Sequence, residues 1–153
     1  INRYSSWIKN KNITKYLVKT DPRKKVLKEF LRTMIESEND IFFKIIINNK
    51  HIGNLRLLDI DKNKKTLSFG IMIGNEKFHN KGIATSCLKL IMKYVFKRIK
   101  FNKLKFVCMI KNKYAMKLYV NLKFKKYKSE NINFVNFVMS KKNYFRSPKT
   151  KLI

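Results

Sequence analysis

Acidic residues are scarce in this chain. Among its 153 residues, nine Asp and Glu stand against 37 Lys and Arg, which gives a formal net charge of +28. Such an excess ordinarily raises nucleic-acid binding first. The lysines, however, are scattered through every element, and Lys, Asn and Ile together supply 66 residues, as an AT-rich genome would produce without selection for binding. We therefore do not expect nucleic acid to be the main ligand.

Cysteines and long apolar runs are also few. Cys87 and Cys108 both lie in apolar stretches, which favours buried free thiols in a reducing compartment over a disulfide, and we expect no metal site. No apolar run approaches the roughly 18 residues of a membrane span, and the start INRYSSWIKN lacks the core of a signal peptide. These absences predict a cytoplasmic protein with no membrane partner. The first residue is Ile1 rather than Met, which is compatible with a preceding segment outside this numbering.

The hydrophobic periodicity predicts a mixed sheet with helices on its faces, an α/β architecture. Short helical pieces come first, and Asp21 is then predicted as the N-cap of a helix with Pro22 at its first position. Gly70 indicates a bulge or a close backbone approach. From Lys141 onward no periodicity is visible. After the Asp21 helix the predicted order is strands at 41–47, 51–60 and 66–74, a helix from Gly82, a strand at 103–110, a helix at 112–124 and a closing strand at 132–140.

The stretch FHNKGIATSCLKLIMKYVF, residues 78–96, places one of only four glycines at a helix entrance. Free amides at a helix N-terminus form an anion site, and Asn80 tolerates the left-handed conformation that would curl the preceding loop. Lys81 adds a nearby charge. The segment from Lys77 to Lys128 holds 16 basic residues and no acidic one, which favours an anionic ligand, although a glycine here can also be a plain turn.

Two motifs resemble the GCN5-related N-acetyltransferase (GNAT) family. The run His79-Asn80-Lys81-Gly82-Ile83-Ala84 is similar to its R/Q-x-x-G-x-G/A motif, after a strand at 69–74 that also looks like the family. The later segment NKYAMKLYVNLKF is similar to N-x-x-A-x-x-L-Y-x-x-x-G-F. The resemblance covers nearly the whole chain. It implies a GNAT fold, with a mostly antiparallel sheet flanked by helices and a splayed strand pair at the acetyl-CoA site.

The resemblance also implies one N-acetyltransferase domain over residues 1–140, without the family's first strand if the numbering begins inside the protein, and a basic tail over 141–153. Acetyl-CoA would be the co-substrate, attacked directly by a primary amine. Tyr119 would protonate the CoA thiolate, and Asn112 would contact the pantetheine or orient its helix. Backbone groups of Ile71, Met72 and Ile73 would meet the pantetheine, and the diphosphate would be held by amides of His79, Asn80, Lys81, Gly82, Ile83, Ala84 and Thr85.

Departures from the family pattern leave the general base open. His79 replaces the usual Arg or Gln, Lys123 stands where the family usually has Gly, and Ser68 occupies a strand position that is often acidic. Glu76 is the base we name first, and the other routes are a water relay and a substrate that arrives already deprotonated. The alternative side chains are Asp59, His51 and His79.

Finer resemblance points to the RimJ/RimL-like or sugar N-acetyltransferase branch. The preferred acceptor is then a nucleotide-linked amino sugar of surface polysaccharide biosynthesis, and a protein N-terminus or ribosomal protein is the runner-up. Trp7 and Tyr16 would line the acceptor pocket or, equally, anchor the N-terminal helices. A basic nucleic-acid-binding domain and a non-catalytic CoA-binding domain are the non-enzyme alternatives. The sequence leaves open whether the protein is a homodimer.

Overall fold

The structure, a computed structural model, describes residues 1–17 and 21–147. Within these ranges six strands form one sheet, in the order β1-β2-β3-β4-β6-β5, and helices flank it. The predicted mixed, mostly antiparallel α/β architecture is confirmed. The elements are α1 (Asn2–Lys9), α2 (Lys11–Thr14), α3 (Lys24–Glu36), β1 (Ile41–Ile47), β2 (Lys50–Asp61), β3 (Thr66–Ile73), α4 (Ile83–Lys93), β4 (Lys103–Met109), α5 (Lys113–Asn121), β5 (Lys125–Lys128), β6 (Phe134–Ser140) and α6 (Lys141–Arg146).

The parallel ladder between β3 and β4 is short. It pairs Thr66–Ser68 with Lys103–Lys105 and ends at the Ser68–Lys105 pair, although β3 continues to Ile73 and β4 to Met109. By contrast, the antiparallel ladder between β4 and β6 runs the full length of both strands. The structure therefore leaves the last part of β3 outside its ladder with β4.

The chain forms two compact units that each combine two segments. Unit 1 comprises Ile1–Leu58 and Gly70–Lys81, and unit 2 comprises Asp59–Phe69 and the chain from Gly82 onward. In unit 1 the fully buried residues Leu27, Ile52 and Leu57 form the centre of the core. Helix α1 adds Trp7, whose ring occupies the space that a side chain at position 74 would need, so this position requires glycine.

The core of unit 2 is formed by the alternate buried residues of β4 and by the apolar face of α4. Leu104, Phe106 and Cys108 are buried while the intervening residues are exposed, which is the period of a strand with one solvated face. Five residues after α4, Tyr94–Arg98, continue as a π-helix. Val95 and Phe96 are both buried there, as Ile91 and Met92 are in the preceding α-helix.

Three boundaries differ from the sequence prediction. Helix α3 begins at Lys24 with Arg23 as N-cap, because the carboxylate of Asp21 accepts hydrogen bonds from the backbone and guanidinium of Arg23 and forms a turn before the helix. Strand β5 is missing from the predicted order of elements, although its stretch KFKKYK is compatible with an exposed strand, and all four of its residues are exposed. In the sheet, β5 pairs with β6, which lies between β4 and β5.

The third difference is at the C-terminal end, where an aperiodic segment from Lys141 was predicted. Residues Lys141–Arg146 instead form α6, which begins at Ser140, whose hydroxyl oxygen accepts from the backbone N–H of Asn143 at 3.2 Å. Tyr144 is buried and its ring centroid lies 5.0 Å from that of Phe96. A single buried anchor residue in six gives no readable period, which is why the helix escaped prediction.

Candidate active site

The N-terminus of α4 offers unpaired amides. Gly82 is its N-cap with φ 74° and ψ 0°, in the left-handed region, and no side chain caps the helix. The backbone N–H groups of residues 82–85 have no acceptor within the described ranges, and the first bond of the helix is Ser86 N–H to the Gly82 carbonyl at 3.0 Å. A Cβ placed at Gly82 would meet open space. This helix end can therefore receive an anion at its backbone.

The loop before Gly82 is tied to the end of β3 by a histidine. His79 Nε2 lies 2.7 Å from the carbonyl oxygen of Ile73, so this nitrogen carries the hydrogen and donates it. Asn80 has φ 58°, as its predicted left-handed conformation requires. Lys81 Nζ lies 5.7 Å from the centre of the Phe78 ring, over its face. Thus the side chain of His79 is engaged with the protein backbone, which the sequence motif did not indicate.

The strand residues predicted to meet pantetheine pack closely against β2 at one point. Ile71, Met72 and Ile73 are half-buried. Gly53 of β2 lies against the Met72 carbonyl, and a Cβ there would overlap it. Gly70, in contrast, has no atom within 4 Å of a placed Cβ, so the predicted close backbone approach at this glycine is wrong, while the alternative of a bulge stays a prediction.

Asn112 caps α5. Its side-chain oxygen accepts from the backbone N–H of Ala115 at 3.2 Å, the usual N-cap arrangement. This bond supports the second of its two predicted roles, orienting the helix that carries Tyr119.

Tyr119 lies in an aromatic cluster of unit 2. Its ring centroid is 4.4 Å from that of Phe106 and 5.3 Å from that of Phe137, and only 8% of the residue is exposed. Phe69 and Phe124 complete the cluster at 6.0 Å and 6.1 Å. Five interlocking rings fix the position of the phenol, because each edge contact restricts its rotation.

The hydroxyl of Tyr119 is available for chemistry. Within the described ranges it makes no hydrogen bond, and every fully buried side-chain nitrogen or oxygen there has a partner. Its oxygen is therefore not completely buried. Burial raises the pKa of Tyr119 well above its usual range, and the charge of a Cys108 thiolate would raise it further. The phenol is a protonated donor at any ordinary pH.

Cys108 is a neighbour that sequence reasoning did not connect with Tyr119. Burial raises the pKa of its thiol to about 11, so this side chain is a neutral thiol. Burial also raises the pKa of Cys87, and both cysteines are unpaired thiols. The apolar stretch around Cys108 predicted a buried thiol, but only the fold brings it close enough for its charge to influence the pKa of Tyr119.

Lys123 stands where the family usually has glycine, and its backbone conformation is one that glycine adopts at lower cost. It has φ 65°, and it follows the C-cap residue Leu122 of α5. The amides of Lys123 and Phe124 donate to the carbonyls of Val120 and Tyr119, which is a Schellman motif with lysine in place of glycine. The left-handed conformation costs about 1 kcal/mol relative to glycine.

The base candidates sit in different surroundings. Glu76 is exposed and its Oε1 accepts from Asn10 Nδ2 at 3.3 Å. His51 donates from Nε2 to the Asn54 side-chain oxygen at 2.8 Å and to the Gly53 carbonyl at 3.0 Å, which leaves Nδ1 as the basic atom. Asp59 is exposed at a positive φ of 53°. Glu76 thus holds a link between two segments of unit 1, and its role as base remains a prediction.

The two predicted acceptor residues also differ. Trp7 is 8% exposed, packs against Gly74 and meets the His51 ring edge to face with centroids 5.0 Å apart. Tyr16 is half-buried, and Lys15 Nζ lies 4.8 Å from its ring centre. The contacts of Trp7 support the anchoring alternative, whereas Tyr16 keeps surface for a ligand.

No group of three or more His, Cys, Asp or Glu side chains in residues 1–17 and 21–147 is placed to hold a metal ion. In the same part of the chain, none of the helices has the length and apolar character needed to cross a membrane.

The family model described as the acetyltransferase (GNAT) domain matches residues 1–125. The chain belongs to the GNAT acetyltransferase family. It is accordingly an N-acetyltransferase, whose family transfers acetyl from acetyl-CoA to an amine. Its resemblance over both motifs is therefore confirmed at the level of the family. No curated protein sequence shows a significant match.

Solved structures with the same fold include a spermidine N-acetyltransferase from Vibrio cholerae in complex with CoA and spermine. It is 19% identical, with a TM-score of 0.81 over 94% of this chain and 91% of that one. The N-acetyltransferase PseH of Campylobacter jejuni is 25% identical, with a TM-score of 0.64 over 74% and 76%. A domain from Methanocaldococcus jannaschii is 23% identical, with a TM-score of 0.75 over 91% and 90%.

Proposed function

We propose that this N-acetyltransferase binds the diphosphate of acetyl-CoA at the N-terminus of α4 and transfers acetyl by direct attack of a neutral primary amine. The observation that carries the proposal is the set of unpaired amides at residues 82–85 behind a left-handed Gly82 without a side chain. Backbone donors and the helix dipole favour an anion there. His79, Asn80 and Lys81 form the loop that leads to these donors, and Lys81 adds positive potential.

The remainder of acetyl-CoA would lie along the end of β3. The backbone of Ile71, Met72 and Ile73 follows the last pair of the ladder with β4, and such strand backbone can hydrogen-bond the amides of pantetheine. His79 holds the Ile73 carbonyl at 2.7 Å and so fixes where the strand ends and the loop begins.

In the chemical step, the amine nitrogen bonds to the thioester carbonyl carbon, the C–S bond breaks, and the sulfur leaves as a thiolate. Tyr119 donates its phenolic hydrogen to that sulfur, since the hydroxyl is protonated and without a protein partner in the described ranges. The proton released by the amine goes to a base, for which Glu76 or a water chain is proposed. No covalent enzyme intermediate is required.

The preferred acceptor is a nucleotide-linked amino sugar of surface polysaccharide biosynthesis. Its diphosphate suits a protein of net charge +28. Of the nine acidic residues, five are held in salt bridges with Arg or Lys, namely Asp21, Glu29, Glu36, Asp40 and Asp61. Within the described ranges no three of the remaining carboxylates cluster. A polyamine, such as the spermidine named for the Vibrio cholerae enzyme, would find few anionic partners on this protein.

A protein N-terminus or a ribosomal protein is the second acceptor class. The positive charge of the protein would favour such an acceptor only if the target is bound to RNA or is itself acidic. The two free thiols fit the reducing conditions of the cytoplasm, where both acceptor classes occur.

Cofactor binding is tested with an isosteric pair, Gly82→Asp and Gly82→Asn. Both residues tolerate a left-handed backbone, but only aspartate repels a diphosphate. Acetyl-CoA at one hundred times its Kd should raise the Tm of the wild type by about 5–10 °C. The rise should shrink in the asparagine variant and vanish in the aspartate variant. A wild-type Tm that does not respond to excess acetyl-CoA would contradict the proposal and favour a domain without this cofactor.

The acceptor is tested by measuring CoA release with amino sugars, nucleotide amino sugars, N-terminal peptides and spermidine. For a nucleotide amino sugar KM should rise with ionic strength, because salt screens the attraction, whereas for a polyamine it should fall. Highest kcat/KM with spermidine and a KM that falls with salt would overturn the acceptor assignment. Salt-sensitive nucleic-acid binding without any acetyl transfer would support the non-enzyme alternative instead.

A further inference from the structure

Unit 2 contains an open cavity to which the proposed reaction assigns no role. Its volume is about 520 Å³, and it lies where α5 ends, β5 begins and α6 passes. Its lining combines cationic, polar and apolar residues. The lining residues include Val120, Lys123, Phe124, Lys125, Asn143 and Arg146.

Three of these side chains carry a positive charge that no described carboxylate pairs with in a salt bridge. Within the described ranges, Lys123, Lys125 and Arg146 form no salt bridge, and Glu130 is the one acidic residue of the sequence from Gly82 onward. Like charges around one concavity repel each other, and a bound anion would reverse that interaction. The cavity is therefore complementary to a ligand with more than one negative charge.

Asn143 adds a directional polar group. Its backbone N–H is used by the Ser140 hydroxyl, but its side-chain amide forms no hydrogen bond in the described part of the chain. An amide presents both donors and an acceptor, so it can orient a ligand in a way that flexible lysines cannot.

Lys123 combines a place in the lining with an unusual backbone conformation. It occupies the left-handed position of the Schellman motif, where glycine would be the relaxed choice. Lys65 and Lys100 also have a positive φ, and Lys123 differs from them in that it lines this cavity.

We propose that this cavity binds a phosphorylated small molecule of nucleotide size, with its phosphates on Lys123, Lys125 and Arg146. A volume of about 520 Å³ falls within the usual range for small-molecule sites. Val120, which is 47% exposed, offers an apolar wall for the ring of such a ligand. The site would be separate from the cofactor amides of α4, so a nucleotide could act there as an effector or as part of a larger substrate.

Calorimetric titration with ADP and with pyrophosphate tests the site. The protein is used with saturating CoA, and in parallel as Gly82→Asp, so that the amides of α4 do not contribute. Lys125→Ala and Arg146→Ala should each weaken ADP binding about tenfold, the loss expected for one charge-assisted bond. Their controls are Lys126→Ala and Lys142→Ala, which remove an exposed charge from the same two elements outside the lining, and which should stay within twofold of wild type.

Lys123→Gly separates ligand binding from folding. It should raise the Tm by about 2–4 °C, because glycine relieves the left-handed strain, while weakening ADP binding about tenfold. ADP binding tighter than pyrophosphate supports the apolar wall, and equal affinities overturn the assignment of a nucleotide. Equal losses in the cavity variants and their controls, or no binding at millimolar ADP, would show that the cavity is not a site.

Discussion

Replacing Tyr119 by phenylalanine removes one oxygen from the proposed site and leaves its ring in place. The ring contributes the packing with Phe69, Phe106, Phe124 and Phe137, which phenylalanine retains. The hydroxyl has no protein partner in the described ranges, so its loss orphans no buried group. We therefore expect a free energy of unfolding within about 0.5 kcal/mol of wild type.

The effect on turnover follows from what the hydroxyl can donate. A hydrogen bond to a charged group contributes about 1.5–3 kcal/mol, and the developing thiolate is such a group. Since each 1.36 kcal/mol changes a rate tenfold, kcat should fall about 10- to 150-fold. Complete proton transfer from Tyr119 to the sulfur in the transition state would give a larger loss.

The assay is steady-state release of CoA thiol together with a thermal melt with and without acetyl-CoA. Tyr114→Phe is the matched control, because Tyr114 is in the first turn of the same helix and 80% exposed. It should leave kcat within twofold. A Tyr119→Phe enzyme with wild-type kcat would refute the acid role. If its acetyl-CoA binding were weaker at the same time, the hydroxyl would instead contribute to cofactor binding.

Three further outcomes test other parts of the structure. Burial raises the pKa of Cys108 in the folded protein to about 11, so its contribution to the free energy of unfolding should be constant below pH 9 and decrease as the pH approaches 11. Denaturant titrations at pH 8 and 10.5 should therefore show a smaller loss of stability in Cys108→Ala than in the wild type. Gly70→Ala should stabilise by about 0.5–1 kcal/mol, and Gly82→Ala should destabilise by about 1 kcal/mol, in the same titrations. Asn112→Ala should cost about 1 kcal/mol while Asn112→Asp retains the cap, measured as Tm.

The sequence predicted the elements whose burial repeats several times. Helix α3, the three strands β1–β3 and helix α4 each show a sustained period, and they appear where they were expected. Strand β5 and helix α6 are too short for a period, and they are stabilised by partners distant in the chain, such as Phe96 beneath Tyr144. The Asp21 cap was misassigned because the same side chain can serve either a helix or the turn before it.

At the candidate site, local backbone features were predictable and long-range contacts were not. Asn80 and Gly82 have the left-handed conformations that the loop requires. The bond from His79 to the Ile73 carbonyl and the influence of Cys108 on the pKa of Tyr119 depend on how separate elements meet, which residue spacing does not encode.

The glycine at position 82 gains meaning from how sparingly the chain uses this residue. Among the described residues, eight have a positive φ, and seven of these are Asn, Asp or Lys. The chain therefore accepts side chains in the left-handed region, even the costly lysine at 123, so conformation alone does not explain Gly82. What glycine adds over asparagine is an absent side chain, and at this position a Cβ would enter open space beside unpaired amides. The gap is best explained as room for a ligand at the backbone, which is what the paired Gly82→Asn and Gly82→Asp variants measure.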